Sequence, residues 1–137
     1  MAFRHQIRVR YGEVDMQQVV FNAHYLAYVD DAVDTWFRSL FGTDYTAGFA
    51  DTGWDIMLKK ATVDWSSPAR LGDVLDLDVA VARWGRSSFD VGVAGQVQGR
   101  AVFTATITYV GVRHGTVTPI AAPEKIRTAL GDAITLG

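Results

Sequence analysis

The chain contains no cysteine, so a disulfide framework, a thiolate nucleophile and a cysteine metal site are all excluded. Histidine is scarce. His5, His24 and His114 stand apart, with neither the H-x-x-x-H nor the H-E-x-x-H spacing of a zinc helix. Charge of one sign is lacking too: 13 Lys and Arg face 15 Asp and Glu, a formal net charge of −2. No global field therefore points to nucleic acid or an anionic membrane. No apolar run approaches the ~20 residues that span a bilayer. The opening MAFRHQIRVRYGEVD carries charges where a secretory signal needs an apolar stretch. The expectation is a soluble, cytoplasmic protein with neither a nucleic-acid nor a membrane partner. Apolar residues make up 49% of the 137, which excludes disorder and suffices for one core. One domain over residues 1–137 is expected, without repeat or linker.

Hydrophobic periodicity orders the elements. Phe3, His5, Ile7, Val9 and Tyr11 alternate with Arg4, Gln6, Arg8 and Arg10, a half-buried strand over residues 3–11. From Asn22 the period lengthens. Tyr25, Tyr28, Val29, Ala32, Trp36, Phe37 and Leu40 recur at three- and four-residue steps, predicting a helix with one aromatic face, stopped at Gly42. Asp30, Asp31, Asp34 and Arg38 fall on its solvated side. Residues 43–53 read as a loop. Residues 54–65 form a strand broken by Ser66-Ser67-Pro68, and alternation at 75–81, 89–97 and 103–109 gives three more. Pro123-Glu124 opens a last short helix through Leu130. Short turns between consecutive strands imply antiparallel neighbours. The pattern is an α+β fold, a long helix packed on a single antiparallel sheet. One helix covers one face, and such a sheet has open edges; association of identical chains would solve both problems.

The chemistry concentrates in YGEVDMQQVVFNAHY, residues 11–25. Asp15 and Glu13 precede an apolar stretch, Val19-Val20-Phe21. Asn22 then stands where a side-chain cap opens the helix. A carboxylate just ahead of a helix start lies near unpaired backbone N–H groups, which can polarise a carbonyl while the acid activates water or attacks. On spacing alone Asp15 reads equally as a turn acid and Asn22 as an ordinary cap. Glu13 could raise the pKa of Asp15 by like-charge coupling, although a paired or solvated strand-end acid is the preferred reading. Trp54, Trp65, Trp84 and Tyr45 suit either an acyl pocket or a core.

These residues resemble the hotdog-fold acyl-CoA thioesterases, most nearly the 4-hydroxybenzoyl-CoA thioesterase type. The motif Asp15, Val19-Val20-Phe21 and Asn22-Ala23-His24-Tyr25-Leu26 carries the likeness. Lys59 to Trp65 through Pro68, with Gly72-Asp73, is similar to that family's second strand and turn. Arg83-Trp84-Gly85-Arg86-Ser87-Ser88-Phe89 looks like its basic–Ser–Phe turn. The resemblance covers residues 4–112.

That resemblance implies an acyl-CoA thioesterase, with coenzyme A as part of the substrate and no metal or redox cofactor. Asp15 would be nucleophile or general base, and the Asn22 backbone N–H would hold the thioester oxygen. Arg83 and Arg86 would reach the nucleotide phosphates, with Lys59 and Lys60 as weaker candidates and Ser88 as the serine of that turn. His24 is a lesser candidate base. A homodimer or homotetramer is implied, with residues near Met57–Ala61 of one chain facing Asp15 of another. The chain departs from the family at Gln18, where glycine is usual, and at Met16. Gln18 could narrow the pocket or orient water through its amide. Two alternatives stay open: a hotdog hydratase or dehydratase, which needs a paired His and Asp, and a non-catalytic acyl-thioester binding protein.

Overall fold

A computed structural model describes residues 2–136. Five strands, β1 (Phe3–Arg8), β2 (Trp54–Trp65), β3 (Val74–Trp84), β4 (Ser88–Val97) and β5 (Arg100–Arg113), form one sheet in the order β1-β3-β4-β5-β2. Every neighbouring pair is antiparallel. The order leaves β1 and β2 as edges, and both begin or end at the segments that carry the chemistry.

The helix α1 (His24–Phe41) lies against one face of this sheet. Its buried residues, Tyr25, Tyr28, Val29, Ala32, Val33, Trp36 and Phe37, repeat the predicted stripe, with Val33 added. They meet Leu75, Leu77, Val79 and Val81 of β3, Phe89, Val91 and Val93 of β4, and Phe103, Ala105 and Ile107 of β5 in one core. Each large side chain removed from water there contributes roughly 1.5–3 kcal/mol. Leu40, expected on that stripe, is 40% exposed. Gly42 ends α1 with φ 88°, its N–H donating to the Arg38 carbonyl.

Three expectations need correction. Residues 43–53 are not a plain loop: α2 (Tyr45–Asp51) forms within them. Its Thr46 and Gly48 are weak helix formers, and tertiary contact supplies the rest. Phe49 packs edge-on against Phe37, Phe41 and Trp54 at centroid distances of 5.8, 5.2 and 5.1 Å, and the Tyr45 hydroxyl donates to Asp34. The first strand stops at Arg8 rather than at residue 11. Beyond it the chain turns through a short 3-10 segment, Tyr11–Glu13, and Tyr11 is 83% exposed. Last, α1 starts at His24, preceded by Ala23 in helical conformation. No side chain caps it, so Asn22 is not the capping residue.

The short helix α3 (Glu124–Leu130) closes the far end of the sheet. Trp84 donates its indole N–H to the Gly131 carbonyl at 2.9 Å, and Arg127 stacks 4.9 Å over the same ring.

One close approach ties the sheet to the helix start. Phe103 lies edge-on to Tyr25 at 5.1 Å and fills the space where a side chain at Gly95 would project. A Cβ at position 95 would collide with the Phe103 ring and lie 3.0 Å from Leu77 Cδ2. Gly95→Ala should therefore destabilise the protein by about 2 kcal/mol, the cost of overpacking a dense core. Urea denaturation of the two proteins measures this; equal midpoints would show that Phe103 yields without cost.

Candidate active site

Asp15 sits in a tight loop closed by an antiparallel bridge between Val14 and Val20. Inside it the Asp15 N–H donates to the Val19 carbonyl at 2.9 Å, and the Gln18 N–H donates to the Asp15 carbonyl at 2.9 Å. The Asp15 carboxylate accepts the Gln17 N–H at 2.8 Å, an Asx-type turn that holds the side chain. Gln18 adopts φ 63°. The loop thus takes at Gln18 the left-handed conformation that glycine adopts without strain. The departure from the family's glycine changes the side chain and leaves this turn intact.

Both ends of the loop are anchored. Val20 is buried and donates its N–H to Ala69, while Val19 bridges to Arg70, which ties the loop to the turn before β3. At the other end the Phe21 N–H donates to the Glu13 carbonyl at 3.0 Å. Glu13 itself is buried. Its carboxylate accepts the Arg10 backbone N–H at 2.8 Å, the Arg10 guanidinium at 2.6 and 3.1 Å, and the Tyr28 hydroxyl at 2.9 Å. Burial pushes the Glu13 pKa up, but the hydrogen bonds from Arg10 and Tyr28 outweigh it and hold the group below its ordinary 4.5. The same contact, added to burial, drives the Tyr28 phenol upward. Glu13 is the paired acid that the sequence favoured, and its partners are Arg10 and Tyr28. The sequence named neither of them; Arg10 three residues before Glu13 was the available signal.

Asp15 and Gln18 line one open cleft of about 650 Å³, with Tyr11, Gly12, Val14, Met16 and Leu71. Asn22 lines a separate cleft of about 250 Å³ beside Tyr25, Trp65 and Ser66 to Pro68. The Asn22 N–H donates to no backbone carbonyl among the described residues, so a free donor stands two residues ahead of α1. His24 lines neither cleft. Its ring meets Phe21 edge-on at 6.2 Å.

The basic candidates lie elsewhere. Arg83 is committed to Asp90, with bonds at 2.9 and 3.3 Å, and also donates to the Ser88 hydroxyl at 3.2 Å. Burial raises the Asp90 pKa, yet bonds from Arg83 and Thr108 hold it below the carboxylate norm. Arg86 is exposed and makes no ion pair among the described residues. Lys59 and Lys60 are exposed on the edge strand β2, where a register shift falls between Leu58 and Lys60. Arg83, Arg86 and Ser88 belong to the β3–β4 hairpin, and the Asp15 loop abuts the start of β3. That strand has 11 residues, roughly 35 Å when fully extended, and its length separates the two groups within one chain.

Of the aromatic candidates, Trp54 is core at 1% exposure, Trp84 supports α3, and Trp65 opens on the Asn22 cleft. Tyr45 lines a cavity of about 510 Å³ between α1, α2 and β2, together with Asp30, Phe37 and Tyr109. No helix among the described residues is long and apolar enough to cross a membrane, and none of their His, Asp or Glu groups is arranged to hold a metal.

A long helix laid on a five-stranded antiparallel sheet is the hotdog architecture. The chain belongs to the thioesterase-like superfamily, whose sequence model matches residues 9–130. It is similar to a protein of Aquifex aeolicus named "Putative esterase", 25% identical over 132 residues, 96% of this chain and 100% of the other. Among solved structures it resembles a 1,4-dihydroxy-2-naphthoyl-CoA thioesterase from Synechocystis, with a TM-score of 0.82, 18% identity and coverage of 95% and 96%. A Staphylococcus aureus protein characterised in complex with CoA gives a TM-score of 0.84 at 17% identity, covering 100% of this chain and 90% of that one.

Two predictions follow from the loop. Gln18→Gly should stabilise the protein by about 1 kcal/mol, since glycine has no Cβ to strain at φ 63°; a lower thermal midpoint for the variant would contradict this. Because the folded pKa of Glu13 lies below its ordinary 4.5, its contribution is complete above that pH and is lost as pH falls through the folded value. Glu13→Gln should therefore be less stable than wild type at pH 7, and the gap should close toward pH 3. Urea titrations at both pH values check it, and a gap independent of pH would exclude the charge as its source.

Proposed function

We propose that the protein is an acyl-CoA thioesterase, hydrolysing an acyl- or aryl-CoA to the free acid and CoA. The observation that carries this reading is the Asp15 carboxylate, held in an open cleft on a loop pinned at both ends, with the free N–H of Asn22 seven positions on and two residues ahead of α1. Membership of the thioesterase-like superfamily supports it. A thioester is an activated acyl donor, so one carboxylate and aligned N–H donors suffice without a triad.

In the base form, Asp15 takes a proton from water as the water oxygen bonds to the thioester carbon. The Asn22 N–H stabilises the oxyanion. Collapse breaks the C–S bond, and the CoA thiolate leaves and recovers the proton. In the nucleophilic form, a carboxylate oxygen of Asp15 bonds to that carbon and expels the thiolate, and water then hydrolyses the mixed anhydride. CoA enters as part of the substrate, and neither form calls for a metal or redox group. The CoA complex of the Staphylococcus aureus relative and the aryl-CoA named for the Synechocystis one support a CoA-linked substrate here.

The span of β3 bears on the phosphates. A hairpin a full strand length from the Asp15 loop cannot serve the same thioester readily within one chain. Two β2 edges pairing antiparallel about a two-fold axis would bring each Asp15 end to the same side as the partner's basic hairpin. The twelve-residue edge of β2, with Met57, Leu58 and Trp65 exposed, supports such a homodimer, alone or doubled into a tetramer. Arg86, unlike Arg83, has its guanidinium uncommitted and is the preferred phosphate contact, with Lys59 and Lys60 as secondary ones.

The alternatives fare less well. A hydratase needs a paired His and Asp in the site. The observed pairs, His5–Asp31 and His114–Asp55, involve neither Asp15 nor His24. The non-catalytic reading rested on Gln18, and Gln18 preserves the turn.

Thiol release from a panel of acyl- and aryl-CoA thioesters tests the proposal. Asp15→Asn should lower kcat by about 10²–10⁴-fold in a folded protein. Undiminished hydrolysis would rule out the assigned carboxylate. Arg86→Ala should raise KM roughly tenfold or more with kcat little changed, the loss of a charge-assisted phosphate contact.

A further inference from the structure

We infer that Glu13 is a positioning residue of the thioester site, locking Asp15 and the Asn22 N–H in one geometry; this rests on the function proposed above. Glu13 touches neither cleft's reacting groups. Its leverage comes from where its bonds go.

A closed circuit of contacts runs around the Asp15 loop. The Glu13 carboxylate accepts the Tyr28 hydroxyl at 2.9 Å. The Tyr28 ring packs edge-on to Tyr25 at 5.9 Å, and the Tyr25 hydroxyl accepts the Ala69 N–H at 3.3 Å. The Ala69 carbonyl accepts the Val20 N–H at 2.9 Å. The next residue, Phe21, donates its N–H back to the Glu13 carbonyl at 3.0 Å. Asp15 lies inside this circuit, and Asn22 is the first residue beyond it. Through Arg10 the same carboxylate also fixes the chain that enters the loop from β1. Glu13 thereby joins the loop's entry, its exit and helix α1, the three pieces that set the distance from the Asp15 carboxylate to the Asn22 N–H.

The energetics favour a geometric role over a purely stabilising one. Glu13 is 9% exposed, the one charged residue that is buried among those described. Desolvating a carboxylate is costly, and packed apolar side chains can match the stability of such an arrangement. What they cannot supply is direction: a carboxylate with all its bonds made admits one register of the three pieces. Phe21 and Met16, both exposed, contribute little anchoring of their own. Without the Glu13 carboxylate the loop would keep its internal bonds and its bridge to residues 69 and 70, but lose its side-chain ties to Arg10 and to α1.

Kinetics of Glu13→Gln and Tyr28→Phe, measured beside wild type and Asp15→Asn, test this. Glu13→Gln should lower kcat 10- to 100-fold with KM within about twofold, since an ångström of misplacement costs the chemical step and leaves CoA binding intact. Tyr28→Phe, which removes a single bond, should lower kcat by a smaller factor in the same sense. Amide hydrogen exchange gives a readout independent of activity. The Asp15 and Phe21 N–H groups should exchange at least tenfold faster in both variants, while β3, β4 and β5 change only with global stability. If Glu13→Gln does not fold, Tyr28→Phe alone decides by the same readouts. Wild-type kcat and loop exchange in a folded variant would overturn the inference. So would a raised KM at constant kcat, or a loss of kcat matching only the folded fraction. Hydrolysis retained in Asp15→Asn, or no thioester turned over by wild type, would instead overturn the functional reading and this inference with it.

Discussion

One helix has to keep water from one face of a five-stranded sheet, and most of the molecule is arranged around that requirement. The demand explains why the stripe of α1 is so aromatic. Tyr25, Tyr28, Trp36 and Phe37 reach across several strands at once, as four smaller side chains could not. It also explains the glycine at 95, where the Phe103 ring needs room to meet Tyr25. Where α1 runs out, α2 and α3 continue the cover, with Phe49 against Trp54 and Ile126 and Leu130 in the core.

The same packing fixes the site. Once Tyr25 and Tyr28 are held by the sheet, their hydroxyls become stationary partners at the end of the helix that faces the Asp15 loop. Tyr25 accepts from Ala69 and Tyr28 donates to Glu13, so core geometry passes directly into loop geometry. The loop has almost no core of its own beyond Val20. Its order is borrowed from the helix and from the turn ahead of β3. Strand length imposes the opposite constraint. Eleven residues of β3 separate the carboxylate loop from the basic hairpin, and β1 and β2 are left as the edges of the sheet.

Much of this was readable from residue patterns. The strands at 54–65, 75–81, 89–97 and 103–109 and the helix stripe appear as expected, because their periods of two and near 3.6 report directly which face is buried. The α2 segment was not readable. Seven residues that include Thr46 and Gly48 are too short to carry a clear period, and Phe49 and Tyr45 find their partners on α1, outside the segment. Tyr11 fitted the alternation of β1 but fell beyond the last residue that β3 pairs. Asn22 had the composition of a cap, yet the chain enters α1 already in helical conformation at Ala23. Arg83 and Arg86 look alike in sequence. Asp90, across the hairpin, separates them by taking up one guanidinium.

The class of fold was legible in the chain because alternation and the helical stripe are matters of local spacing, and the motif from Asp15 to Asn22 carried the resemblance to the family. Tertiary structure alone decided that Glu13 turns inward to Arg10 and Tyr28, that Gln18 takes a glycine's conformation, and that the basic hairpin stands a full strand away from the acid. These outcomes depend on which distant groups meet, and periodicity within one segment carries no record of its partners.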